Sequence, residues 1–125
     1  MKVTQLNHVA VDVTDLAVSD AFYCDVLGLK KIDRPAFNFP GSWFRLGIDQ
    51  ELHLLARPTS ERAPARDRHW AMMVDDINAF AKHLREQQIE FTGPKPRPDG
   101  AHQIFLRDPD GHVIELCTRP GKLSS

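Results

Sequence analysis

The sequence predicts an α+β fold made of two copies of one strand–helix–three-strand module. Two observations carry that expectation. Hydrophobic periodicity runs in the order strand, helix, three strands, and after a polar middle segment the same order returns. The two halves also repeat each other in sequence. His8-Val9-Ala10 matches His69-Trp70-Ala71, and Asp15-Leu16 matches Asp76-Ile77, both at a spacing of 61 residues. His53 matches Glu115 at a spacing of 62, and Trp43-Phe44-Arg45-Leu46 matches Phe105-Leu106-Arg107-Asp108 more loosely at the same spacing. A half of this size buries too little core to stand alone, so the halves are expected to pair around a pseudo-two-fold.

Taken in order, Val3 to Val13 is the first strand, with Leu6, His8, Ala10 and Asp12 on one face and Val9, Val11 and Val13 on the other. Thr14 or Asp15 caps a helix that begins near Leu16. Its stripe is Leu16, Ser19, Phe22, Tyr23, Val26 and Leu27, and Gly28 stops it. Leu29 to Ile32 is a short strand. Pro35 to Ser42 is a loop too aromatic to be only solvated, expected to lie over a pocket or a partner subunit. Trp43 to Leu46 and Glu51 to Ala56 are strands around a turn at Gly47–Gln50, and Glu51, His53 and Leu55 share a face. The first module therefore spans about 1–57, and 58–66 is a linker marked by Pro58 and Pro64.

The second module spans about 67–119, before a short tail at 120–125. His69 to Val74 is its first strand, with His69, Ala71 and Met73 on one face. Asp75 or Asp76 caps a helix with apolar positions Ile77, Phe80, Ala81 and Leu84, extending to Gln88. Ile89 to Thr92 is a short strand. Gly93 to Gly100, with three prolines, reads as irregular and as a candidate mobile flap. Gln103 to Leu106 and Val113 to Thr118 close the module.

Composition narrows the function classes. The 125 residues are 42% hydrophobic and 26% charged, as expected of one globular domain. A formal net charge of -1 argues against nucleic acid as a partner. No apolar run approaches the roughly 20 residues of a membrane span. Cys24 and Cys117 are too few for a disulfide framework, so a cytoplasmic location is expected.

The chemistry gathers on the last strand. Asp108-Pro109-Asp110-Gly111 is turn chemistry, and it delivers His112-Val113-Ile114-Glu115-Leu116-Cys117. A carboxylate in such an apolar strand is costly unless it is paired, hydrogen-bonded or bound to a metal. The repeat places His8, His53, His69 and Glu115 at equivalent strand positions. Converging imidazoles and a carboxylate are what a divalent metal needs. His8, His69 and Glu115 make a two-histidine, one-carboxylate set suited to Fe, Zn, Ni, Co or Mn, with His53 as a fourth candidate ligand. The bland alternative is that each histidine is a hydrogen-bonded core or rim residue. Cys117 shares the parity of Glu115 but reads as a small buried hydrophobe. Arg45 and Arg107 could hold a substrate carboxylate. His102 lies within reach of the site from the proline-rich segment.

Five motifs spread over nearly the whole chain resemble the vicinal oxygen chelate superfamily: NHVAVDVTDL (7–16), FYCDVLGLK (22–30), ELHLL (51–55), RHWAMMVDDI (68–77) and DPDGHVIEL (108–116). That superfamily includes glyoxalase I, extradiol dioxygenases, fosfomycin-resistance thiol transferases and bleomycin-resistance proteins. The resemblance implies paired βαβββ modules forming a cupped mixed sheet, helices outside, around one divalent metal. It implies His8, His69 and Glu115 as metal ligands and Trp43 and Phe105 as lining of the cup, with Arg45, Gln103 and His102 as further candidates for the substrate pocket. It also implies a small-molecule substrate and a homodimer. Glyoxalase I enzymes carry a ligating acid/base Glu where this chain has His53, so His53 and Glu115 are the catalytic candidates here. Three activities follow: a glyoxalase-like isomerase or lyase acting through an enolate or oxyanion, an Fe(II) dioxygenase, and a protein that sequesters a small molecule. The intact His8, His69 and Glu115 speak against the metal-free binding of bleomycin-resistance proteins.

Overall fold

A computed structural model describes residues 1–57 and 68–121, so the expected linker at 58–66 and the end of the tail lie outside the described residues. The chain divides into two compact units, Met1–Arg62 and Ala63–Ser125. In the first unit β1 (His8–Val13) leads through α1 (Leu16–Ala21) to β2 (Lys30–Ile32), β3 (Gly41–Leu46) and β4 (Gln50–Ala56). The four strands form one sheet in the order β1-β4-β3-β2. β1 runs parallel to β4, and the other neighbours are antiparallel. The second unit repeats this with β5 (His69–Met73), α2 (Ile77–Glu86), β6 (Phe91–Pro96), β7 (His102–Arg107) and β8 (Val113–Cys117), in the order β5-β8-β7-β6. β5 is parallel to β8. Both modules are thus βαβββ, as the repeat implies.

Each sheet has one apolar, packed face and an opposite face that carries its polar and ring side chains. In the first, Val13, Phe44, Leu52 and Leu54 point to the packed face and are buried along with Phe22, Tyr23 and Val26, the Tyr23 ring lying 6.0 Å from Phe44. Each such side chain contributes about 1.5–3 kcal/mol by leaving water. In the second, Ile104, Leu106, Ile114 and Leu116 are buried with Ile77, Ala81 and Leu84 of α2. Period-two alternation then puts His8, His53 and Trp43 on the opposite face of the first sheet. It puts His69, Glu115 and Phe105 on the opposite face of the second.

Several elements differ from the sequence reading. β1 starts at His8 rather than Val3, and Val3 and Leu6 are exposed. Asp15 caps α1 as expected, its carboxylate accepting from the Val18 N–H at 3.2 Å. The helix then widens into a π-turn over Phe22–Val26, with Leu27 N–H donating to the Phe22 carbonyl at 3.2 Å. α2 ends at Glu86, so Gln88 is no part of its stripe. Gln88 instead turns the chain at a positive φ of 59°. The largest correction is at Gly93 to Pro96, read as irregular but part of β6. β6 is an edge strand, where a proline removes no ladder bond that a neighbour needs. The register with β7 shifts between Thr92 and Lys95, which absorbs Gly93 and Pro94. Only the reversal after Pro96 is a loop, closed by Arg97 N–H to the Ala101 carbonyl at 2.6 Å.

Candidate functional site

In the second unit the site is built around Glu115, whose carboxylate is buried at 5% exposure. The turn before β8 sets its direction. Asp108, itself buried, accepts from the Asp110 and His112 N–H groups at 3.0 and 2.8 Å. Gly111 sits at φ 85° and donates back to the Asp108 carbonyl at 2.9 Å. That closed turn starts β8 in the register that pairs Glu115 with Ala71 on one side and Phe105 on the other. A buried charge needs partners. His69 Nε2 lies 3.1 Å from Glu115 Oε1, and Gln103 Nε2 donates to Oε2 at 3.0 Å. Arg97 Nη1 stands at 3.9 Å, while its Nη2 is committed to Asp99 at 2.7 Å. The Phe105 ring meets His69 edge-on at 5.6 Å. Burial, with Glu115 second, pushes the Cys117 thiol up.

The first unit carries a stacked column. Cross-strand pairing sets Trp43 beside His53 and Arg45 beside Glu51. Trp43 and His53 stack at 4.0 Å with planes 4° apart, and His8 covers the other side of His53 at 4.2 Å and 18°. His8 Nδ1 lies 2.8 Å from Asn7 Oδ1, which can only accept, so Nδ1 carries the proton and the Nε2 lone pair is free to ligate. His53 Nε2 lies 2.9 Å from Glu51 Oε1. Arg45 Nη1 stands 3.6 Å from the other Glu51 oxygen. The loop before β3 packs onto this column: Phe37 lies 6.1 Å from Trp43 and 5.6 Å from Phe39.

The residues expected at the site therefore fall into two sets, His8 with His53 and Trp43 in the first unit, and His69 with Glu115, Gln103 and Phe105 in the second. Among the described residues no group of three or more His, Cys, Asp or Glu side chains is arranged to hold a metal ion. Two pocket candidates sit apart from these sets. His102 has the parity of Ile104 and Leu106, so it belongs to the packed face and not beside Glu115. Arg45 faces Glu51, which leaves it a poor anchor for a substrate carboxylate. Sequence reasoning missed Glu51 and Arg97 as site residues. Glu51 was legible only as a residue of the same parity as His53. Arg97 lay in the segment read as irregular.

In the second unit His69 and Glu115 are side chains of the types that ligate divalent cations. Glu115 is a buried anion whose nearest basic group is an imidazole, itself a ligand type for such ions. Gln103 and Asn7 hydrogen-bond Glu115 and His8, as outer partners do for ligating side chains.

A family model described as the Glyoxalase/Bleomycin resistance protein/Dioxygenase superfamily matches residues 5–116. Glyoxylase I 4 of Arabidopsis thaliana is 35% identical over 127 residues, covering 94% of this chain and 72% of that protein. Metallothiol transferase FosB of Staphylococcus epidermidis is 30% identical over 123 residues, covering 94% and 84%. The crystal structure of a protein assigned to the glyoxalase family from Bacillus anthracis matches with a TM-score of 0.84 at 28% identity, covering 95% and 98%.

Proposed function

As the chain belongs to the Glyoxalase/Bleomycin resistance protein/Dioxygenase superfamily, we propose that it is an enzyme dependent on one divalent metal, acting on a small oxygen-chelating substrate. His8, His69 and Glu115 are the proposed ligands. The observation that carries this reading is the buried Glu115 carboxylate against His69 in a strand otherwise apolar. The metal, when bound, would act as a Lewis acid that stabilises an enolate or oxyanion of the substrate. The chain's own groups do the rest. Asn7 fixes the tautomer of His8, Gln103 fixes the Glu115 carboxylate, and Phe105 packs against the His69 ring. Trp43 gives the substrate a flat apolar wall. His53, stacked against it, would carry a proton between substrate atoms.

The relatives' names support a lyase or transferase class without fixing the reaction. A second reading, an Fe(II) dioxygenase, is favoured by the Glu51 contact of His53. With His53 held there, a two-histidine, one-carboxylate set leaves positions open for dioxygen and a catechol-like substrate. Oxygen uptake by the Fe(II)-loaded protein with catechols separates the two. A homodimer is expected, with the exposed Phe37 and Phe39 as the apolar surface it would cover.

The deciding measurement is metal content after purification without tag or chelator under metal-replete conditions. Wild type should hold about one ion per chain, and Glu115→Ala close to none. Equal, negligible metal in both would remove the metalloenzyme reading.

A further inference from the structure

The column in the first unit has a feature that the metal reading does not use. His53 is enclosed on both ring faces, by Trp43 at 4.0 Å and His8 at 4.2 Å. Its outer nitrogen, Nε2, is spent on Glu51 at 2.9 Å. Glu51 is steadied in turn by Arg45 across the strand pair. We propose that Glu51 is a positioning residue that holds His53 as an Nε2–H donor and keeps it out of the metal's ligand set. The inference rests on the proposed ligands His8, His69 and Glu115, and it makes that set three rather than four.

Two physical arguments carry it. A carboxylate can only accept, so the 2.9 Å contact puts a proton on His53 Nε2 and leaves its lone pair on Nδ1. A protonated nitrogen cannot ligate. Ring geometry gives the second. A metal–imidazole bond lies in the ring plane. Rings stacked 18° from parallel, one over the other, share no in-plane point near their nitrogens. In this arrangement His8 and His53 cannot bind the same ion, and Asn7 has already left His8 with the free Nε2. Glu51 thus supplies a carboxylate to the corner that His53 leaves without one, but as an orienting group two residues away on the same strand face.

Histidine-labelled protein examined by long-range 1H–15N NMR tests this, metal-free and with one equivalent of Zn2+. In metal-free wild type, His53 should show the Nε2–H tautomer. Zn2+ should then shift His8 and His69 to the metal-bound pattern and leave His53 in place. Glu51→Ala should weaken the tautomer preference and release the His53 ring from its stack, so that Zn2+ then recruits a third imidazole. Glu51→Met, of similar bulk but with no oxygen to accept, should behave as alanine does, whereas a merely space-filling role would leave it like wild type. A metal-bound shift at His53 in wild type overturns the inference. So does a metal-free His53 tautomer that is Nδ1–H, or one unchanged by Glu51→Ala. If wild type takes up no Zn2+, the proposed function fails, and the metal-free tautomer still supports or overturns the hold of Glu51 on His53.

Discussion

Glu115 and Glu51 show what single residues can and cannot announce. Glu115 interrupts an apolar run, so burial made it conspicuous, and its pairing with His69 and Gln103 answers the cost of that burial. Glu51 lies at the position equivalent to Val113, both paired with the first-strand histidine of their module. A repeat argument looks for like residues at like positions and so passes over it. Its importance comes from a side-chain contact two residues along one strand, which spacing alone does not single out. Arg97 is similar. Its guanidinium donates to both Asp99 oxygens at 2.8 and 2.7 Å, and it reaches Glu115 at 3.9 Å. The hydrogen bond from Arg97, with one from the Ala101 N–H, holds the Asp99 carboxyl down to about 2. The folded chain therefore favours ionised Asp99. Its stabilising effect is present above the ordinary carboxylate value of about 3.9 and is lost as pH falls toward 2. Carboxyl 13C NMR across that window should give Asp99 a midpoint near the lower end, and Arg97→Met should raise it toward the ordinary range. An unchanged midpoint in the variant would mean that Arg97 does not hold the group.

Elements were legible where one local rule governed them, and less so where neighbours intervened. Asp15 and Asp76 cap the two helices as their positions suggest, accepting from Val18 and Ala79 N–H groups at 3.2 and 3.0 Å. The prolines of β6 misled, because a proline rule for strands depends on whether the strand is an edge, and sequence does not state sheet order. The π-turn after α1 was missed because its stripe satisfies a 3.6 period nearly as well. The end of α2 offers a prediction. The chain leaves it through Gln88 at φ 59°, with Ile89 N–H donating to the Leu84 carbonyl at 2.9 Å. That is a helix stop of the kind glycine favours, made here by a residue with a Cβ. Gln88→Gly should therefore stabilise the protein by up to about 1 kcal/mol, seen as a higher urea midpoint at unchanged slope. A lower midpoint would show that the Gln88 side chain contributes more than its backbone conformation costs.

At the scale of the molecule the repeat was the most informative signal. It gave two modules of one topology, and their registers match: Ala10 faces His53 as Ala71 faces Glu115, and Trp43 faces His53 as Phe105 faces Glu115. An ion held by the proposed ligands His8, His69 and Glu115 should bind only the folded protein and so add to its stability. A ligand that binds only the folded state contributes about 2.7 kcal/mol at a hundred times its dissociation constant. For a chain of this length that is a rise in Tm of roughly 10 °C. Wild type titrated with Zn2+ or Mn2+ in a thermal melt should show it. His8→Ala changes an exposed side chain on the edge strand β1, so its metal-free Tm should stay within a few degrees of wild type. Its metal-induced rise, however, should largely vanish, as it should for His69→Ala. If His8→Ala keeps the full rise, His8 leaves the ligand set.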